Sequence, residues 1–407
     1  MIRLPDLTRI DEFIVIADLH MGVGPDPATG TPDPDDAFLL DRHLIALIDH
    51  IAGRADRERV CVVVLGDMVD LLLVEPSFQL HPDARTATTL RRLDQIAAGH
   101  HDVIRALGNL VRAGAHLVIV PGDRDIELVR ESTQHRLATL IVPGPDEAAI
   151  AARARIGFSP WALHVPGLLW AEHGSQFRDV DAFETFAAPW MDGNVELVNR
   201  PVGGMMTLLR AARRARMHGM RVGRLGVLPT AAGVGAALVR RCDPRHVARR
   251  RAYRARTVHE LAGAMGLPPR IATEIDRLAE HPCGAVERRV VGRLVARRLG
   301  RPVADDPGAG LRRAARSIHA LLAAAGSPVH YVVMGHTHGM EYVDLPAGGA
   351  YLNPGAWATQ PSGSRESATE PRAGAAVIRC DHADKSCTAE LVTWPGGTFA
   401  PNDGAAV

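Results

Sequence analysis

Over residues 10–123 short apolar runs alternate with segments whose apolar positions recur at helical spacing. IDEFIVIADLH (10–20) reads as a strand that closes in a polar loop, and RVCVVVLGDMVD (59–70) as a β-branched strand followed by a polar turn. Between them, AFLLDRHLIALIDHI (37–51) predicts a helix. A second helix is predicted over 86–113, followed by the strand HLVIVPGD (116–123). Further strands are predicted at GLLWAEHG (167–174), VHYVVMGHTHG (329–339), GAYLNPGAW (349–357), AAVIRC (375–380) and TAELVTW (388–394). The intervening 183–326 is rich in Arg, Ala and Leu with few β-branched runs, and reads as mostly helical. Strands alternating with helices predict a layered α/β core.

Composition adds constraints to that picture. A chain of 407 residues is long for one domain, so one domain with a large insertion, or two domains, is expected. Five cysteines form no CxxC pair and are odd in number, which fits a reducing compartment better than a disulfide framework. The N-terminus lacks a basic-then-apolar signal pattern. The run VLPTAAGVGAALV (227–239), broken by Pro and Gly, is too short to span a bilayer. The expected location is cytoplasmic, with membrane contact only from the inner face.

Net charge is +1, but unevenly spread. Residues 200–316 hold 26 Arg and 8 acidic residues, which leaves 21 of the 47 basic and 38 of the 46 acidic residues elsewhere. MMTLLRAARRARMHGMRVGRLGVL (205–228) has no acid and sets Met205, Met206, Leu208 and Leu209 among arginines. This is the pattern of an amphipathic helix on an anionic membrane; a solvated or internally paired cap is the alternative. Nucleic acid is disfavoured, since Tyr253 is the only aromatic between Trp190 and Tyr331.

The chemistry gathers at the strand ends, where ligands bind in open α/β sheets. There stand Asp18 and His20; Asp67 and Asp70; Asp123, Arg124 and Asp125; His173; and His336 and His338. Carboxylates mixed with imidazoles and no cysteine suit Mn²⁺, Fe²⁺, Zn²⁺ or Mg²⁺. The set is too large for one ion with open positions and suits two.

Asp18-x-His20, Gly66-Asp67-x-x-Asp70, Gly122-Asp123-Arg124-Asp125, His173-Gly174 and Gly335-His336-Thr337-His338, in this order, resemble the motifs of the calcineurin-like metallophosphoesterases. The resemblance implies a layered β-sandwich core flanked by helices, in two parts (1–178 and 327–407) around a mainly helical, Arg-rich insertion (179–326). It implies two divalent metals, Mn²⁺ foremost, and attack by a bridging hydroxide on a phosphate-containing substrate. Asp18, His20 and His338 would hold one ion and Asp123, His173 and His336 the other, with Asp67 shared. Asp70 and Asp125 would orient ligand imidazoles or the arginine, and Asn353 and Pro354 resemble the family's turn beside the site.

Two positions depart from the usual pattern: Asp123 stands where most of the family has Asn, and Arg124 where it has His. The extra carboxylate adds negative charge, and Arg124 partly offsets it. Arginine cannot donate a proton at neutral pH but clamps phosphate in a planar fork. It therefore suits a leaving group that is already a weak base, such as a phosphate released from an anhydride. Gly-Asp-Arg-Asp resembles the Gly-Asn-Arg-Asp of the UDP-2,3-diacylglucosamine pyrophosphatase branch, whose substrate is a lipid nucleotide. In that branch an acid at the place of Asp181 contacts substrate; a helix N-cap is the alternative for Asp181. The 163 positions between His173 and His336 far exceed that branch's short lid. The expected function is metal-dependent hydrolysis of a lipid-linked or nucleotide pyrophosphate. A phosphodiesterase or nuclease, or a non-catalytic membrane- or partner-binding scaffold, is the alternative.

Overall fold

The β-branched runs near the N-terminus build the middle of one sheet, and both of its faces are buried. The computed structural model describes residues 2–26, 28–31, 33, 35–74, 85–178, 181–183, 189–191, 194–201, 203–208, 244–279, 306–358, 373–381, 386–394 and 400–401. The first stretch contains β1 (Glu12–Ile16), α1 (Asp41–Ala52), β2 (Val60–Leu65), α2 (Thr86–Gly99), α3 (His101–Ala113) and β3 (His116–Val120). It continues through α4 (Glu131–Ile141), α5 (Glu147–Arg153), β4 (Ile156–Phe158), β5 (Ala162–Val165) and β6 (Leu169–Glu172). The middle of the chain holds β7 (Trp190–Met191), β8 (Asn194–Val198), α6 (Pro244–Ala264), α7 (Pro269–Leu278) and α8 (Ala309–Ala324). After it come β9 (Tyr331–Met334), β10 (Met340–Asp344), β11 (Ala350–Pro354), β12 (Gly374–Asp381), β13 (Ser386–Thr393) and β14 (Ala400–Pro401).

Two units result. One comprises Met1–Val74, Thr86–His173 and Gly326–Val407; the other comprises Glu75–Arg85 and Gly174–Ala325. In the first, a sheet of order β14-β13-β12-β1-β2-β3-β4 accompanies a second of order β10-β11-β9-β6-β5. β1 through β4 pair in parallel, as do β6, β9 and β11. Strand alternation sends Ile14, Ile16, Val62, Val64, Leu117 and Ile119 into a core with Leu44 and Ile48 of α1 and Leu107 and Val111 of α3. The other face presents Phe13, Val15, Val63, Leu65, Val118 and Val120 to Leu163, Leu169, Ala171, Val333 and Leu352 of the second sheet. Burial on both faces is why these strands read as continuous apolar runs. The outcome is an α/β protein with two packed sheets flanked by helices.

The segment 86–113, read as one helix, is two. His100 breaks it, with φ −108° and ψ 38°, because both ring nitrogens are committed to carboxylates: Nδ1 lies 2.7 Å from Asp41 Oδ1 and Nε2 2.9 Å from Asp36 Oδ2. Gly99 lies directly against the backbone of Val23 and Gly24, which leaves no room for a side chain there.

In the second unit α6 packs on α7 and α7 on α8, with Arg254 paired to Asp276. Met205 and Leu208 are buried within the chain, so they do not form the lipid-facing stripe expected of 205–228; apolar burial inside the protein satisfies them instead. Leu209 and the rest of that stretch lie outside the described residues. Among the described residues no helix is long and apolar enough to cross a membrane.

Candidate metal centre

β1, β2, β3, β6 and β9 hand their chains to loops that are tied to one another. The Asp18 amide donates to Gly66 O (3.2 Å), the Gly66 amide to Val120 O (2.8 Å), the His20 amide to Asp67 O (2.8 Å) and the Gly335 amide to His173 O (3.1 Å). Five non-glycine residues among those described have positive φ: Asp18 (54°), His20 (55°), Asp67 (51°), His336 (67°) and His338 (63°). Such a conformation costs on the order of 1–3 kcal/mol each and survives only where the surroundings over-determine it. All five are residues whose side chains meet at this site.

They meet in two groups. Asp67, Asp123, His173 and His336 offer ligand atoms that lie within 4.8 Å of one another, as do those of Asp18, His20 and His338. Asp67 Oδ2 lies 3.5 Å from His173 Nε2 in its own group and 3.6 Å from His20 Nε2 in the other. Its Oδ1 accepts the Arg124 amide (2.8 Å), which fixes the rotamer. Asp123 Oδ1 is 3.3 Å from both His173 Nε2 and His336 Nδ1. Asp18 Oδ2 accepts the His336 amide (2.8 Å), and its Oδ1 lies 3.5 Å from His338 Nε2.

Glycines make this density possible. A Cβ on Gly66 would run into the His173 ring, and one on Gly122 into the Asp67 carboxylate. The glycine of one motif is therefore the space that a side chain from another occupies.

The donor set fits divalent cations. Asp18 Oδ1 is buried with no hydrogen-bond partner among the described residues. His20 Nε2 faces His338 Nε2 at 3.3 Å, and His173 Nε2 faces His336 Nδ1 at 3.2 Å. Two imidazole nitrogens so placed need a proton or a cation between them. Burial works against charge on Asp18, but His338, His173 and His20 outweigh it and hold the carboxyl well below the usual range. Burial likewise opposes charge on Asp123, and His173, His336 and Arg124 keep it ionised. Burial opposes charge on His173 as well, yet Asp67 and Asp123 drive its basicity well above that of a free imidazole. The site is a concentration of buried negative charge that asks for positive charge. Carboxylate and imidazole donors without thiolate suit Mn²⁺, Fe²⁺, Zn²⁺ or Mg²⁺.

The neighbouring residues divide by what they touch. Asp70 Oδ2 lies 3.7 Å from His20 Nδ1, and its Oδ1 accepts the Leu72 (3.2 Å) and Leu73 (3.1 Å) amides, so it stands behind the His20 imidazole. Asp125, expected to orient an imidazole or Arg124, is placed by three backbone amides. Its Oδ1 accepts the Gly122 amide (2.7 Å) and its Oδ2 the Met68 (2.8 Å) and Val69 (3.3 Å) amides, which bracket the β2 and β3 loops together. Burial and then the Asp67 charge push this carboxyl up to about 7. The Arg124 guanidinium is partly exposed, with Nε 3.4 Å from Asp123 Oδ2. Asp181 belongs to the second unit, where it closes a turn with Arg178 (3.3 Å).

Asn353 is buried and pins the Gly335–His338 loop: its Nδ2 donates to Gly335 O (3.1 Å) and Thr337 Oγ1 (2.8 Å). Contacts made by the Trp357–Ala358 turn and by the His100–Asp36 pair were not marked in the sequence. The Trp357 and Ala358 amides donate to Asp18 O (3.2 and 2.9 Å), with the indole locked on Gly374 O (2.8 Å). The Asn-Pro-Gly turn before Trp357 is the one signal that could have pointed there. His100 holds Asp36, which accepts the Gly22 (3.1 Å) and Gly24 (2.8 Å) amides of the loop after His20. Nothing local in the sequence marks that clamp.

Fold and site together define a two-sheet α/β protein carrying two adjacent carboxylate–imidazole groups, with Asp67 of one group 3.6 Å from an imidazole of the other. No protein-family model matches the chain, and no curated protein matches its sequence. Among solved structures it is similar to a dimetal phosphatase from Danio rerio, at 12% identity and TM-score 0.32, over 95% of each chain. At that TM-score the likeness adds nothing to what the site geometry says.

Proposed function

We propose that this chain is a phosphohydrolase dependent on two divalent metals, Mn²⁺ foremost, acting on a phosphoanhydride in a lipid-linked or nucleotide substrate. The observation that carries the reading is the position of Asp67 Oδ2, within 3.6 Å of His20 Nε2 and 3.5 Å of His173 Nε2, between two groups of ligand type. Asp18, His20 and His338 would hold one ion, Asp123, His173 and His336 the other, with Asp67 between them. The chemistry a bound pair supplies is Lewis acidity toward a phosphoryl oxygen and a nucleophile drawn from water at neutral pH.

The chain's own residues supply orientation and charge. Asp70 stands 3.7 Å from the far nitrogen of the His20 ring, where its charge would favour a proton on that nitrogen and orient the ring. Asp125 keeps the β2 and β3 loops in register. The partly exposed Arg124 fork would grip phosphoryl oxygens and spread the charge that develops on them. It has no proton to give, so the leaving group must depart as a weak base; phosphate, with a second pKa near 6, qualifies and an alkoxide does not. Asp181 is the proposed substrate contact of the second unit. The lipid-linked substrate is supported by the surplus of arginine over residues 200–316, suited to an anionic surface.

The test is a panel of UDP-linked lipids, CDP-lipids, nucleotide sugars and bis-p-nitrophenyl phosphate, assayed with Mn²⁺ and with Mg²⁺ on protein whose metal content has been measured. The expected result is two ions per chain and turnover of the anhydrides well above the diester. A preference for the diester supports a phosphodiesterase or nuclease instead. Two bound ions with no turnover on any member point to a non-catalytic scaffold.

A further inference from the structure

Far along the larger sheet, away from the ligand-bearing loops, two thiols face each other. Cys380 on β12 and Cys387 on β13 are direct register partners, both free, both half-buried, with their sulfurs 3.3 Å apart. Sequence spacing hid them, because seven positions separate them and no CxxC is formed. The hairpin brings them together.

The backbone around them defines what kind of pair they are. The Cys380 amide donates away from β13, to Asp11 O (2.7 Å). The Cys387 carbonyl also turns outward and accepts the Tyr331 hydroxyl (2.9 Å). Both peptide groups point away from each other, so this is the non-hydrogen-bonded type of cross-strand pair, in which Cα atoms approach to about 4.5 Å. A disulfide spans Cα separations of about 4.4–6.8 Å, so the pair stands at the short end of what a bridge tolerates. A bridge there can form without moving the strands, and both sulfurs are only half-buried, so thiol exchange can reopen it.

We propose that Cys380 and Cys387 are a reversible dithiol–disulfide couple, oxidised by a small-molecule disulfide such as oxidised glutathione. This goes beyond the hydrolase reading and does not depend on it. Burial, and then the adjacent Cys387 thiol, push Cys380 up to about 12, and exchange begins at whichever sulfur of the pair is deprotonated. That thiolate attacks one sulfur of the small disulfide and releases one thiol. The other cysteine's sulfur then attacks the protein sulfur of the mixed disulfide and releases the second thiol. Two electrons and two protons pass from the protein pair to the reagent, which leaves as two thiols. Cys61 takes no part, since it is fully buried on β2 and burial alone pushes its thiol far up. The bridge would lock the turn end of the β12–β13 hairpin, whose Cys387 carbonyl is tied to Tyr331 at the start of β9.

The experiment uses the folded full-length chain with Cys242 and Cys283, which lie outside the described residues, replaced by Ser. It is equilibrated across a series of reduced-to-oxidised glutathione ratios, quenched with acid, and read by intact mass and peptide mapping. The expected result is a species lighter by two hydrogens, with Cys380 and Cys387 in one cross-linked fragment, that returns to the dithiol in reduced glutathione. Cys380→Ser should trap glutathione on Cys387. Glutathione adducts on the two thiols without a bridge, or no reaction unless the chain is unfolded, would overturn the proposal. A bridge that reduced glutathione fails to reopen would overturn its reversibility. The readout is mass and not turnover, so a failed hydrolase reading leaves it unaffected.

Discussion

Asp67 is the residue on which most of the site converges: one carboxylate oxygen faces an imidazole of each group and the other is held by the Arg124 amide. Asp67→Asn keeps the shape and that amide bond but removes the carboxylate charge. It should reduce bound metal from two ions per chain and lower turnover by more than about 100-fold, beyond what loss of an outer partner costs. Metal analysis and assay check this, with near-UV circular dichroism confirming an intact fold. Gly122→Ala tests the same spot by volume. A methyl group there meets the Asp67 carboxylate, and overpacking of this kind costs about 1–3 kcal/mol. The urea midpoint should fall and metal affinity with it; an unchanged affinity would show that the Asp67 geometry tolerates displacement. Arg124 acts by geometry as well as charge. Arg124→Ala should slow anhydride hydrolysis by about 100- to 1,000-fold, the range for removing one transition-state donor, and Arg124→Lys should not restore it.

At the scale of elements, the loops are held by side chains that belong to neither candidate group. Asp125 brackets the loops after β2 and β3, Asn353 the loop after β9, and His100 the loop after β1. His100 makes a pH-dependent contribution whose sign is definite. Burial lowers its basicity, but hydrogen bonds to Asp36 and Asp41 outweigh that and raise its pKa from 6.5 to about 9. The facing groups are these two carboxylates and the edge of Phe38. A pKa raised on folding stabilises the native state fully below about pH 6.5 and loses that contribution as pH climbs through about 9. The shift corresponds to at most about 3 kcal/mol. Urea unfolding of the native chain and of His100→Leu should therefore differ most near pH 6 and least near pH 10. A difference constant with pH would show that the ring is held neutral.

On the scale of the whole molecule, the two units differ in charge, and the arginine surplus belongs to the second. If that surface docks on anionic membrane, liposome binding should rise with anionic lipid and fall with salt, each exposed arginine contributing on the order of 1 kcal/mol. Met205 and Leu208 are buried, so no strong salt-resistant component is expected from them. Co-sedimentation with vesicles over a salt series checks this. Binding that persists in high salt would require an apolar anchor elsewhere in the chain, and retention on DNA or RNA instead would favour the nuclease reading.

The sequence by itself determined the layered α/β class, because strands buried on both faces must be apolar at consecutive positions and those runs are plain at 13–16, 60–65 and 117–120. It also showed that carboxylates, imidazoles and Arg124 stand just past strand ends, since a strand that leaves a core must turn polar. Other features depend on partners remote in sequence, and no local pattern carries them. The helix expected over 86–113 breaks at His100 for the sake of Asp36, more than sixty positions away. Asp125 was expected to orient an imidazole or the arginine, and its three backbone-amide bonds across two loops had no mark in the sequence. The left-handed backbone at Asp18, His20, Asp67, His336 and His338 has no sequence signature, because the strain is imposed by five loops closing on one point. Periodicity records which side of an element is buried, and so it could announce the layers. Which side chains face one another across the site is settled only when the strand ends are brought together.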